Sequence, residues 1–220
     1  MPLPSSAPTH RLRAAALAVL LAAGLCAAGA SQATSLFTNG SFESPNIGYA
    51  SLGAGSTVIT GWTTVLSGVE FYNAGSSAAD GVMVVDLANY VYTGGGLEQA
   101  IATTSGQRYD VSFFAGNTAS SGRDGTGIVK VTLDGSTTLQ FNTAVATSAA
   151  YAWAERSFSF VATGSSTTIR FWNDQNPFAH FALIDGVSAA PAVPEPTTAS
   201  LLALGLLGCG LRMRRRQPAA

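Results

Sequence analysis

In KVTLDGSTTLQF, residues 130–141, Val131 and Leu133 alternate with Lys130, Thr132 and Asp134 before the pair Asp134-Gly135 interrupts the pattern. An alternation of period two puts one apolar face on a sheet and leaves the other polar, as a half-buried antiparallel strand requires. Asp-Gly between two such runs supplies the two positive-φ residues of a tight type I′ hairpin. The stretch therefore predicts strand, turn, strand.

The same rhythm extends outward. Tyr109, Val111, Phe113 and Ala115 alternate with Asp110 and Ser112, Phe158 and Phe160 with Ser157 and Ser159, and Ile169 and Phe171 with Arg170 and Trp172. No sustained helical period occurs between Leu36 and Ala189. Strands are expected at 36–43, 57–65, 69–73, 82–89, 96–102, 108–115, 127–133, 137–143, 152–162 and 166–173, with a closing strand at 181–189. The turns LSGVE (66–70) and ATGSSTT (162–168) are expected to join neighbouring pairs. Many short strands with regular turn signals predict an all-β jelly-roll sandwich spanning 34–190. A barrel is the alternative, and a solenoid is disfavoured because no fixed repeat is visible.

The flanks differ in kind. His10, Arg11 and Arg13 precede an apolar run from Ala14 to Ala28 and then small residues, which reads as a signal peptide helix over 1–33. Cleavage after Ala30 or after Ala33 satisfies the small-residue rule, and an uncleaved membrane helix is the alternative. At the other end, Pro194, Glu195 and Pro196 precede a short hydrophobic helix expected over 197–211, then Arg212, Arg214, Arg215 and Arg216. Such a helix is about 22 Å long at ~1.5 Å per residue, against a hydrocarbon core of ~30 Å. As a permanent anchor it is short. As a transient hold in the inner membrane it suffices, with the arginines on the cytoplasmic side.

Without its flanks the chain is acidic. Residues 34–191 hold eleven acids and five bases, a net charge near −6 that the whole-chain value of −1 conceals. An acidic domain without a basic run is excluded as a nucleic-acid binder, which needs clustered Lys and Arg. Cys26 and Cys209 both lie in the flanks, so this core has no disulfide to form. His180 is its only histidine, which excludes a His-rich zinc site.

Candidate functional residues are few. Glu43 and Asp185 lie in the first and last expected strands, which often neighbour each other in a jelly roll; paired carboxylates suit Ca2+. Alternatively each caps a turn or pairs with Arg156 or Arg170. Rings in a shallow groove form a saccharide platform; from the set Trp62, Tyr90, Tyr92, Trp153 and Trp172 the candidates are Tyr90, Tyr92 and Trp172, the tyrosines because a glycine-rich loop follows their strand, and core packing is the alternative for each. Trp62 and Phe171 read as core. No nucleophile elbow occurs, and His180 with Asp174 or Asp185 and a scattered serine is not a catalytic signature. No enzyme is expected.

Two resemblances add to this. Pro194-Glu195-Pro196, the Leu- and Gly-rich run and the arginine cluster resemble the PEP-CTERM sorting signal over 191–220. The resemblance implies recognition by an exosortase, cleavage near the Pro-Glu-Pro, and export to the cell surface or extracellular matrix of a Gram-negative bacterium that makes polysaccharide. LFTNGSFE (36–43), ITGW (59–62), VEFY (69–72), VDLANY (85–90), GGLEQAIATTSGQRYDVSFFAGN (95–117) and LIDGVS (183–188) together resemble the choice-of-anchor surface domains and the related plant cell-wall domain of unknown function. These are similar to galactose-binding-like jelly rolls, as in many carbohydrate-binding modules. The resemblance implies a structural calcium at Glu43 and Asp185, with Gly186 departing from an asparagine common in relatives. A surface protein that binds extracellular polysaccharide is the expectation, followed by a structural or adhesive matrix protein, then a glycan-active enzyme.

Overall fold

The computed structural model describes residues 34–89 and 94–193. The signal peptide, Tyr90 and Tyr92, Pro194, Glu195, Pro196, the segment 197–211 and the arginine cluster lie outside the described residues. Among the described residues no helix is long and apolar enough to cross a membrane.

Among the described residues eleven strands follow one another: β1 Tyr49–Leu52, β2 Thr63–Leu66, β3 Val69–Asn73, β4 Met83–Asp86, β5 Gly95–Ala102 and β6 Arg108–Asn117. Then come β7 Ile128–Leu133, β8 Thr137–Asn142, β9 Ala152–Val161, β10 Ser166–Asn173 and β11 Leu183–Pro191. They form two antiparallel sheets, β1-β3-β4-β11-β6-β9 and β2-β5-β10-β7-β8. This is the jelly-roll sandwich that the alternation predicts.

The Asp134-Gly135 turn behaves as expected. Both residues take positive φ, 47° and 70°, and Ser136 N donates to Leu133 O across them at 3.0 Å. The turn is also tied to the next strand, because Thr168 N donates to Asp134 Oδ1 at 2.8 Å. LSGVE and ATGSSTT do not close hairpins. They carry the chain from one sheet to the other, β2 to β3 and β9 to β10, which a turn signal alone does not reveal.

The expected strand at 36–43 is not a strand. Phe37 and Phe42 are both buried, 5% and 0% exposed, yet residues five apart on a pleat face opposite ways. The chain brings both inward by placing Asn39 and Phe42 at φ 53° and 60°, with Phe42 N bonded to Asn39 O. The segment still lies along the last strand, since Leu36 N donates to Ala189 O and Val187 N to Gly40 O, each at 2.8 Å. Gly40 has to be glycine there: a Cβ would lie 1.9 Å from Val187 O. The expected strand 57–65 contracts to β2 because Gly61, at φ 84°, and the Trp62 N to Ile59 O bond form a turn. Conversely β1, which the Gly- and Ala-rich sequence does not announce, forms by pairing Leu52 with Val69 and Tyr49 with Tyr72.

Between the sheets the rings interlock. Trp62 stacks on Phe37 at 5.2 Å and meets Phe171 edge-on at 6.2 Å; Phe113 meets Phe171 at 5.1 Å. Trp62, Phe113 and Phe171 are fully buried, and burying a side chain of this size contributes about 1.5–3 kcal/mol. Trp62 also donates its Nε1 hydrogen to Asn39 O, so its one polar group is satisfied. Trp62 and Phe171 are core, as read from sequence.

Candidate functional site

Because the first segment runs beside β11, Glu43 and Asp185 converge on residues 79–83, the end of the β3–β4 connection and the first residue of β4. Glu43 Oε1 accepts the backbone N–H groups of Val82 and Met83, both at 2.7 Å. Asp185 Oδ2 accepts those of Ala79 and Asp80 at 2.9 and 2.8 Å, and its Oδ1 that of Gly186 at 2.7 Å. Gly186 stands at φ 55° with Phe114 at 2.8 Å from any Cβ, so even asparagine, which tolerates that φ, would have to displace the ring. Burial raises the Asp185 pKa to about 7, against the lowering effect of the N–H groups of Asp80, Gly186 and Ala79. A Ca2+ ion wants converging oxygens, whereas these carboxylate oxygens face five N–H donors. Among the described residues no three His, Cys, Asp or Glu side chains gather as a metal site. The pair fits a loop anchor better than an ion.

The second assembly lies on the outer face of the six-stranded sheet. Strand alternation sends Phe71, Val85, Ile184 and Ala115 into the core and the residues between them outward. In register across all six strands stand Ser51, Glu70, Asp86, Leu183, Gly116 and Trp153. A Cβ on Gly116 would lie 2.4 Å from Trp153 Cε3 and Cζ3, so the indole rests directly on this glycine. Its Nε1 donates to Ser77 O at 2.8 Å, which ties the ring to the β3–β4 connection. Tyr151 meets Trp153 edge-on at 6.5 Å, and the Tyr151 and Tyr72 hydroxyls lie 3.1 Å apart. All three residues are partly exposed.

Carboxylates line this face. Glu70 Oε1 accepts the Tyr49 hydroxyl at 3.0 Å. Asp86 is 3% exposed, and its Oδ1 has no hydrogen-bond partner. Burial first, then the nearby Glu70 charge, push the Asp86 pKa well above its ordinary value, with Arg123 opposing. The Tyr72 pKa is raised by burial and then by the field of Asp86, and that of Tyr49 by burial and then by Glu70.

Trp172 sits on the opposite sheet. Its Nε1 donates to Thr132 Oγ1 at 2.9 Å, and Lys130 Nζ, itself bound to Asp174 at 2.6 Å, lies 4.7 Å from the ring centre. Neither Asp174 nor Asp185 orients His180. Its Nδ1 lies 3.1 Å from Asp124 Oδ1 and 3.3 Å from Thr126 Oγ1, while the threonine hydroxyl donates to that same Asp124 oxygen. A nucleophile–His–acid relay uses the two ring nitrogens for different partners; here one nitrogen meets both. Two clefts, of about 350 and 300 Å3, carry no tryptophan or tyrosine on their walls.

Residues 35–189 match the family described as Protein of unknown function (DUF642). The chain belongs to the DUF642 family. Residues 192–216 match the PEP-CTERM protein-sorting motif, which marks the protein for export and surface association in a bacterium. No curated protein matches this DUF642 chain in sequence. Among solved structures it is similar to an arabinose-bound GH51 α-L-arabinofuranosidase, at 12% identity and a TM-score of 0.50 over 74% of this chain and 27% of that one. It is also similar to a family 61 carbohydrate-binding module in complex with β-1,4-galactotriose, at 16% identity and a TM-score of 0.44 over 73% and 100% of the two chains. A third is the CBM22-1 xylan-binding domain from Paenibacillus barcinonensis Xyn10C, at 13% identity and a TM-score of 0.44 over 66% and 91%.

The face of the DUF642 domain that gathers Tyr72, Tyr151 and Trp153 was not singled out by sequence. The available signal is Gly116, a glycine inside an otherwise regular strand pattern, which marks a place where something approaches the backbone closely. That its visitor is Trp153 depends on the β6–β9 register.

Proposed function

We propose that this protein is exported, sorted to the surface of a Gram-negative bacterium and processed by an exosortase near Pro194-Glu195-Pro196, and that its DUF642 domain binds extracellular polysaccharide without catalysis. The single observation that carries the binding reading is Trp153, held on Gly116 by a bond to Ser77 and left partly exposed beside Tyr151. A ring fixed by its own polar group loses little freedom when a sugar stacks on it, and exposed rings among polar groups are what saccharide faces pack against. Acids near the rings accept hydroxyl hydrogens. The PEP-CTERM match supports the export and sorting steps.

The site is tested on a broad glycan array with the purified chain and Trp153→Ala. Retention of a glycan by the unaltered chain, reduced at least tenfold by the substitution, supports the reading. Retention that the substitution leaves intact moves the site elsewhere, and retention of nothing refutes polysaccharide binding. For Glu43 and Asp185 we infer the anchoring of residues 79–83 in place of calcium binding, which chelation tests below.

A further inference from the structure

The solvent-facing charges around the aromatic face have one sign. Glu70 and Asp86 lie side by side in register, Glu155 stands two residues beyond Trp153 on the same side of β9, and Asp80 is exposed on the adjoining loop. Arg123, which moderates Asp86, is 8% exposed, with its Nε donating to Pro177 O and its guanidinium 3.8 Å from the Phe181 ring centre. Arg108, further along β6, faces Asp110 at 3.7 Å. The faces of Tyr72, Tyr151 and Trp153 add the negative side of their quadrupoles, which attracts cations. Asp86 Oδ1, buried and unpartnered, is an acceptor aimed from β4 to this same side.

Resting on the polysaccharide reading, we propose that this face selects an amine-bearing glycan, a polymer of 2-amino sugars with free ammonium groups, over N-acetylated and uronate polymers. The ammonium lies against the rings and donates to Glu70, with the unpartnered Asp86 Oδ1 on the same side as a further acceptor. An N-acetyl group has neither the charge nor the three donors. A uronate is repelled.

Titration calorimetry on the whole chain decides this, using the hexasaccharides of glucosamine, N-acetylglucosamine and galacturonate. The glucosamine oligomer is expected to bind at least tenfold tighter than the others. Glu70→Gln should cut that preference to threefold or less, while Asp174→Asn, which removes the same charge on the opposite sheet, leaves it unchanged. Equal or tighter binding of the N-acetylated oligomer overturns the proposal, as does an equal loss in the Asp174 variant, which would show bulk charge alone. Should glucosamine not bind while a neutral glycan binds in a Trp153-dependent way, the amine preference fails and the polysaccharide reading stands. If no glycan binds, both fail.

Discussion

Replacing Asp185 by alanine removes the acceptor of three backbone N–H groups, at 2.9, 2.8 and 2.7 Å, from a side chain with no exposed surface. A buried donor left without a partner costs about 1–3 kcal/mol. Ala79, Asp80 and Gly186 are not themselves fully buried, so released N–H groups recover part of that from water. The lower end, about 1 kcal/mol each or ~3 kcal/mol in all, is the appropriate figure. For a domain of this size ~1 kcal/mol shifts the melting temperature by about 2–4 °C, so Asp185→Ala should melt about 6–12 °C lower. The assay is a circular dichroism melt at pH 8, with and without a chelator. Chelation should leave both curves where they are. A fall of the unaltered protein's curve on chelation, by as much as the substitution causes, would refute loop anchoring and give the pair to an ion.

Further outcomes follow from other residues. Gly116→Ala places a Cβ where Trp153 now rests and should weaken glycan binding at least tenfold, while the far-UV spectrum is retained; unchanged binding would detach Trp153 from function. Stability should fall as pH rises from about 4 to about 7. Asp185 keeps a proton up to about 7 in the folded chain, whereas an unfolded aspartate loses it near ~3.9. The folded state therefore binds more protons in that window, and its advantage is lost as pH climbs. Asp86, raised by burial, acts in the same direction. Urea midpoints at pH 5 and pH 8 should show the lower value at pH 8, and the opposite order would contradict the assignment.

The sandwich was legible because its signal is local. Alternation at 108–115, 127–133 and 166–173, and the Asp134-Gly135 turn, depend on neighbours in the chain, and each reappears within a few residues of β6, β7, β10 and the observed turn. Where local pattern and tertiary demand conflicted, the pattern failed. Phe37 and Phe42 are spaced wrongly for one face of a strand, and the chain meets the core by left-handed residues instead. The convergence of Glu43 and Asp185 was legible from first-and-last strand adjacency, but not what they hold, because backbone N–H groups have no signature in sequence. The aromatic face was hidden for a related reason. Tyr72, Tyr151 and Trp153 come from β3, the β8–β9 connection and β9, and only sheet order brings them together.

The central claim is that glycan is bound on the outer face of the six-stranded sheet, and the indoles allow it to be watched directly. Trp62 is 1% exposed in the core and Trp172 lies on the other sheet, so in Trp172→Phe the solvent-accessible indole signal comes from Trp153. A glycan retained by the protein should shift or quench that emission with the same midpoint as binding measured by calorimetry. Binding that leaves the emission of Trp172→Phe unchanged would place the glycan elsewhere and contradict the account.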